Sequence, residues 1–335
     1  MPKEQKKTAA SRGFSYRPEL VPADYPAAEV FGYPPTAETP AARAARERCW
    51  CPFRDGPCTK IDSPAETGVC SIRYKAAGFT SQTIWAICAN RLAGEPFRLA
   101  AEHHFGQLAS QADIVTEVRL KDPDLSFDAV AMLVDDAGEA HFVGIEAQTI
   151  DTRGGSIKRM WQAYIDGRPE EWRSYYPRRP AFGVNTTNVW KRLLPQVMNK
   201  GRMFVGWESR LLVVLQATVF KFIRERMPLK ELSPQEQGAA EIIWLPWDYT
   251  GTTLADGMLE TRIGTPTFTT LSQVEIAFVT VTTLQRPQFV KAVLDKLGRD
   301  TKKYEAARIR AEAEAAIAAR PRLIDGDTDA PDSRP

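Results

Sequence analysis

Between residues 112 and 150 apolar and polar positions alternate, and β-branched residues are frequent among the apolar ones. "ADIVTEVRL" (112–120), "SFDAVAMLV" (126–134) and "HFVGIEAQTI" (141–150) predict three successive strands, because strand side chains point alternately to the two faces. "DDAGEA" between the last two carries the Asp and Gly of a hairpin turn, so the strands should run antiparallel. Helical spacing lies on both sides. "EPFRLAAEHHFG" (95–106) predicts a short helix stopped at Gly106, and "SIKRMWQAYID" (156–166) one stopped by Gly167. "TNVWKRLLPQVMNK" (187–200) predicts another, which Pro195 should kink or split. "RLLVVLQATVFKFI" (210–223) suits a buried strand leading into a helix. "SQVEIAFVTVTTL" (272–284) is strand-like, and "PQFVKAVLDKLG" (287–298) is a helix with Pro at its start and Gly at its end. Residues 301–320 are Ala-rich, charged and helical in pattern, and the tail "DGDTDAPDSRP" should be disordered. Residues 1–45, rich in Pro and Ala, read as an arm with one short packed element at "AAEVFGY"; no internal repeat is present. The mixture of patterns is that of an α/β protein.

Composition adds a class and a compartment. With 335 residues, 43% hydrophobic and 26% charged, the chain can fold as one large domain or two ordinary ones. "MPKEQKKTAASRGFSYRPEL" lacks the apolar core of a signal peptide, and apolar runs such as "LLVVL" (211–215) are too short for a bilayer. A cytoplasmic protein without a membrane partner is expected. Its five cysteines should then be metal ligands or simply buried thiols, not disulfides. The net charge of +2 hides an asymmetry. From Asp113 to Thr152 there are ten acidic and two basic side chains, and from Arg153 to Lys230 sixteen basic and five acidic. An acidic segment followed by a basic one suits a polyanion with a cation between it and the protein, although charge runs are commonly just solvated faces.

The candidate chemistry lies on the hairpin. Glu146 and Gln148 share one strand face, and the turn brings Asp128 near them on the adjacent strand. Two carboxylates there repel unless a cation sits between them, and hard oxygen ligands on a rigid platform are what Mg²⁺ uses beside phosphate oxygens. Glu117, on the preceding strand, can complete the site. The alternative is that these acids merely face water. The neighbours Phe127, Val130, Ile145 and Ile150 argue for burial, and buried acids need partners. The arrangement resembles the PD-(D/E)xK nuclease superfamily, with an acid on one strand and acid-x-lysine on the next. Here Gln148 fills the lysine slot and no proline precedes Asp128.

Cys51, Cys58, Cys70 and Cys88 are separated by six, eleven and seventeen residues, with Cys49 in addition and no CxxC knuckle. Spacing alone leaves metal ligation and plain burial both open. The words around them are more telling. "CPF" (51–53), "GVC" (68–70) and "ICANR" (87–91), then "FG", "SFD", "EAQTID" and "NVWKR" (188–192), come in the order that resembles the NotI family of restriction endonucleases, over roughly residues 28–225. The Glu-x-Gln variant is that family's own. The resemblance implies a PD-(D/E)xK core, a mixed sheet flanked by helices, with a small loop-rich four-cysteine metal-binding unit near the N-terminus. It implies the division 1–45 arm, 46–95 metal unit, 96–300 nuclease core with recognition elements, and 301–335 charged helix and tail. It implies one structural iron or zinc ion on Cys51, Cys58, Cys70 and Cys88, with Cys49 spare. The implied activity is Mg²⁺-dependent cleavage of double-stranded DNA by a homodimer, at a GC-rich palindrome. Asp128 and Glu146 would hold Mg²⁺, Gln148 would position water, and Glu117 would be the additional acid. Arg153, Lys158, Arg159, Lys191 and Arg192 are the candidate DNA contacts, most of them to phosphate. The rival readings are a metal-stapled DNA-binding protein without catalysis, and a repair or homing nuclease with the same core. His103 and His104 read as surface-helix residues, and Trp161, Tyr164 and Trp172 as core.

Overall fold

A computed structural model describes residues 9–62, 67–76, 79, 81–122, 124–153, 157–176, 183–279 and 293. Apart from Val293, the elements expected at 287–298 and 301–320, and the tail, lie outside the described residues. In chain order the elements are β1 (Ala27–Val30), α1 (Pro40–Arg48), β2 (Trp50–Cys51), β3 (Gly56–Pro57), β4 (Val69–Tyr74), β5 (Thr83–Ala86), α2 (Glu95–Phe105), β6 (Asp113–Lys121), β7 (Asp124–Val134) and β8 (Ala140–Gln148). They continue with β9 (Thr152–Arg153), α3 (Ile157–Ile165), β10 (Gly183–Val184), α4 (Thr186–Gly206), β11 (Leu211–Gln216), α5 (Ala217–Arg226), β12 (Ile242–Thr253), β13 (Leu259–Ile263), β14 (Thr267–Thr269) and α6 (Leu271–Val279). The architecture is mixed α/β, as expected.

A seven-stranded mixed sheet organises the molecule, in the order β13-β12-β11-β8-β7-β6, with β14 also on β12. β11 runs parallel to both β8 and β12, and the remaining pairings are antiparallel. The central position of β11 explains its continuous apolar run. Leu211, Val213 and Leu215 pack on one side, Leu212 and Val214 on the other, and all five are fully buried. One face is covered by α2 through Phe97, Ala100 and Ala101. The other carries α4, α5 and α6, through Leu193, Val197, Phe204, Phe220 and Val274. A second, three-stranded sheet, β1-β4-β5, packs into the α4-side cluster through Ala27, Val30, Val69 and Ile72. β1 is the packed element expected at "AAEVFGY".

The β6–β7–β8 meander, the hairpin turn, α2 stopped at Gly106, and the β11–α5 unit match the sequence reading. One expectation is narrowed and one is corrected. Pro195 lies inside one continuous 21-residue helix and does not split it. Val189, Leu193, Leu194, Val197 and Phe204 are each at most 1% exposed. Their burial, worth about 1.5–3 kcal/mol per side chain, outweighs the roughly 3 kcal/mol cost of an internal proline. The strand-like stretch from 272 begins instead as a helix, α6. Thr270 starts it with a capping box, its hydroxyl accepting from Gln273 N at 3.2 Å and its own N–H donating to Gln273 Oε1 at 2.8 Å. Leu271, Val274 and Ala277, at helical spacing, are the buried positions. Among the described residues no helix is long and apolar enough to cross a membrane.

Candidate active site

The ladder register sets the three acids in one row. β6 and β7 pair at Thr116–Ala129 and Val118–Phe127, which leaves Glu117 opposite Asp128. β7 and β8 pair up to Ala129–Ile145, and one step on Asp128 faces Glu146. The ladder is irregular at this row. Glu117 has φ +55°, a left-handed conformation that a side chain pays to adopt. Phe127 packs in the α4-side cluster while Ala129, two residues on, packs with α2, so β7 turns over at Asp128. The backbone N–H of Ala147 donates to Asp128 Oδ2 at 2.8 Å in place of a ladder bond.

The environments of the three acids differ. Glu146 is 2% exposed, Asp128 is half-buried, and Glu117 is exposed with Arg54 Nη1 at 3.3 Å. Burial raises the Asp128 carboxyl above its ordinary range, against the Ala147 N–H and the charge of Lys200, with Glu117 adding to the rise. Glu146 is pushed up to about 7, by burial first and then by Asp128, with Lys200 opposing. Lys200, from α4, is itself buried and pairs with Glu146 Oε2. Its Nζ lies 5.8 Å from the centre of the Phe127 ring. Gln148 is half-buried on the same strand, and its amide donates to the Thr149 carbonyl at 2.6 Å.

The acid row is chemically suited to a hard divalent cation. Asp128 commits one oxygen to Ala147 and Glu146 one to Lys200, so each carboxylate keeps a second oxygen. Burial raises both carboxyls, and the charge of Asp128 adds to the rise at Glu146, a load that a cation would relieve. A different set, Asp135, Glu139 and His141, is the one group of three candidate ligand atoms within 4.8 Å among the described residues. It sits at the β7–β8 turn, where Asp135 Oδ1 already accepts from Ala137 N and Glu139 N at 3.0 and 2.9 Å.

The expected DNA contacts lie on β9, α3 and α4. Lys158 and Arg159 are exposed on α3, and Lys191 and Arg192 are exposed on α4. Arg153 is the second residue of β9, paired with Gly183. Arg192 Nη1 pairs with Asp151 Oδ2 at 3.0 Å, tying "NVWKR" to "EAQTID". Between them opens a cleft of ≈ 450 Å³ lined by Lys60, Asp151, Lys158, Asn185 and Asn188, among others.

All five cysteines are buried and free. Four form one group. Cys70 Sγ donates to the Gly68 carbonyl at 3.7 Å, and the thiols of Cys51, Cys58, Cys70 and Cys88 shift one another's titration. In three of them the sulfur faces the backbone N–H groups two and three residues on: Phe53 and Arg54 for Cys51, Lys60 and Ile61 for Cys58, Asn90 and Arg91 for Cys88. The Cys70 thiol is the largest cause that brings Cys88 down to about 6. Burial pushes Cys58 up to about 12. No three of the sulfurs lie within 4.8 Å of one another. Cys49 stands apart, at the left-handed C-cap of α1, facing Tyr16 and Arg12.

Sequence reasoning missed three parts of this neighbourhood. Lys200 is one. Arg54 on Glu117 is another. The third is the buried cluster of Glu29 and Arg91, with Ser71 Oγ and Tyr249 OH donating to Glu29 at 2.7 and 2.8 Å. His103 and His104 lie on α2, the first exposed and the second half-buried, and Trp161, Tyr164 and Trp172 are core.

A search of curated proteins finds no significant match. The model of the restriction endonuclease NotI family matches residues 29–257, which take in the small sheet, the acid row, the basic helices and β12. The chain therefore belongs to the NotI restriction endonuclease family.

Proposed function

We propose that the chain is a type II restriction endonuclease that makes Mg²⁺-dependent double-strand breaks in DNA at a specific site, a GC-rich palindrome by analogy with the family, acting as a twofold homodimer. The observation that carries this is the row Glu117, Asp128 and Glu146 on three adjacent strands; a cleft lined by Lys60, Asp151 and Lys158 opens where the chain continues past β8. Asp128 and Glu146 would hold Mg²⁺ through their second oxygens, with Glu117 as the additional acid. The ion supplies charge against the scissile phosphate and lowers the cost of ionising the attacking water. Gln148 commits its amide N–H to Thr149, which fixes its side-chain oxygen as an acceptor that can orient that water. Arg153, Lys158, Arg159, Lys191 and Arg192 would hold the backbone on either side of the cut, and Asn185 and Asn188, which line the cleft, would meet base edges. One acid row cuts one strand, so a break in both needs two copies on a palindrome.

Residues 46–95 act in this reading as a staple. Cys51, Cys58, Cys70 and Cys88 would hold one iron or zinc ion. The backbone N–H groups aimed at three of the sulfurs are suited to thiolates, not to inert buried thiols. No three of these sulfurs lie within 4.8 Å of one another, so holding one ion would draw the four closer. The division into an arm, a staple, a core at 96–300 and a terminal segment follows the same reading.

The test uses the purified full chain with phage DNA and Mg²⁺, followed by sequencing of the fragment ends. Discrete fragments with one common end sequence are expected. Glu146→Ala should abolish cutting while binding persists in Ca²⁺. Binding without cutting at any Mg²⁺ concentration would make the chain a metal-stapled DNA-binding protein. Cutting by Glu146→Ala at the wild-type rate would remove the acid row from the mechanism.

A further inference from the structure

We propose that Lys200 is a positioning residue for cleavage, supplying from helix α4 the positive charge that the strand pair lacks at Gln148. The proposal rests on the acid row being the cation site. Lys200 is 4% exposed and Glu146 2%, and the two pair through Nζ and Oε2. Lysine is almost never this buried without a partner. The seat for its ammonium is built by three groups from two strands: Glu146, the charge of Asp128, and the ring of Phe127 at 5.8 Å.

The backbone is shaped to bring the helix there. Gly144 lies against Phe204, and a side chain at 144 would overlap that ring. Lys200 is one helical turn before Phe204, and Glu146 is two residues beyond Gly144 on the same strand face. The glycine that admits Phe204 thus also sets the reach of Lys200. By contrast Gln148, the residue in the lysine slot, turns its amide to its own neighbour's carbonyl.

Two consequences separate this role from simple neutralisation. Lys200 occupies one Glu146 oxygen, which leaves the other for a cation. It also sets the charge of the site. Glu117 and its partner Arg54 offset each other; Asp128 and Glu146 sum to −2, with Lys200 the sum is −1, and a divalent ion brings it to +1, opposite in sign to a phosphodiester. Without Lys200 the loaded site is neutral. The ion should therefore bind more readily to a site lacking Lys200, while the extra negative charge of the transition state loses its support.

The experiment compares Lys200→Met, Lys200→Arg, Lys200→Gln and the double variant Gln148→Lys/Lys200→Met as full chains. Melting curves first establish which are folded. Mg²⁺ alone is titrated by calorimetry, DNA binding is measured in Ca²⁺, and single-turnover cleavage is measured in Mg²⁺. Lys200→Met is expected to cleave about 100-fold more slowly. Its DNA affinity should stay within about threefold of wild type, and its Mg²⁺ affinity should be equal or higher. Lys200→Arg and the Gln148→Lys double variant should each recover about tenfold or more of the loss. Lys200→Gln carries the comparison if Lys200→Met does not fold. Folded Lys200→Met or Lys200→Gln cleaving within about threefold of wild type overturns the proposal. So does a loss of Mg²⁺ affinity parallel to the loss of rate, or failure of both rescues. Asp128→Asn and Glu146→Gln are run alongside. If these still cut, the acid-row reading fails; if they do not and Lys200→Met does, only the role of Lys200 fails.

Discussion

Removing the charge of Glu29 should destabilise the fold more than any surface ion pair could. Glu29 is 0% exposed and Arg91 2%. Arg91 Nε lies 3.0 and 3.2 Å from the two Glu29 oxygens, and its Nη2 donates to the Leu259 carbonyl of β13 at 3.0 Å. The guanidinium stacks on Phe53 at 4.7 Å and on Tyr249 at 5.2 Å. One cluster thus joins β1, the cysteine loop and the main sheet. Glu29→Gln keeps the shape of the side chain but leaves an uncompensated cation where water does not reach. Breaking one partner of a buried pair costs about 3–5 kcal/mol. At about 2–4 °C per kcal/mol for a chain of this size, the melting temperature should fall by roughly 6–20 °C. Arg91→Met should cost a similar amount, because Glu29 would keep only Ser71 and Tyr249. The double variant removes both charges, so it should be no less stable than the worse single variant. Urea titrations of the four proteins give the coupling energy directly. If each single substitution costs under about 1 kcal/mol and the two add, the cluster is not holding the units together and the argument is wrong.

Three further outcomes follow from the same structure. Gly144→Ala should cost about 1–3 kcal/mol by driving a methyl into the Phe204 ring, and Phe204→Leu should recover part of it; an unchanged urea midpoint for Gly144→Ala would show that the helix does not need so close an approach. Cys49→Ser should leave one bound iron or zinc per chain and an unchanged melting temperature, whereas Cys58→Ser or a strong chelator should remove the ion and lower it; elemental analysis beside thermal melts decides, and loss of metal in Cys49→Ser would change the ligand set. His104, on α2, is held down to about 4 by burial first and then by Arg210 and His103. A histidine whose folded value is depressed binds more protons unfolded, so its penalty is absent above about pH 6.5 and complete below about pH 4. Discounted for partial exposure, this should remove about 1–2 kcal/mol across that window, and His104→Asn should flatten the stability profile there.

The strands carrying the acids were legible because their alternation is local. Asp128 and Glu146 stand out as charges within apolar runs, and the short Asp-Gly turn fixes which strands are neighbours. The register that sets Glu117 opposite Asp128 follows from the chain reversal at Lys121–Asp124, which fixes the pairing of β6 with β7. Local rules misjudged α6, where a β-branched, apolar run hid the Thr270–Gln273 capping box that starts a helix. They also gave no account of β12, β13 and β14, between residues 242 and 269. β12 belongs beside β11 through a parallel pairing 31 residues away, which no turn between them announces.

Charged residues on buried stripes carry the signal that was passed over. Leu193, Val197, Lys200 and Phe204 fall at i, i+4, i+7 and i+11, so Lys200 stands on the apolar face of its helix. Glu29 likewise interrupts "AAEVF" in a strand buried throughout. A charge in such a position costs several kcal/mol unless the fold brings it a partner. Its presence therefore predicts that a partner exists, while the partner's identity depends on contacts between distant parts of the chain. Lys200 and Glu146 are 54 residues apart, and Arg91 and Glu29 are 62 apart. The helix pattern says only that Lys200 must point inward. The sheet pattern says only that Glu146 must be neutralised. Each requirement is local, and packing α4 against β8 across Gly144 is what meets both at once.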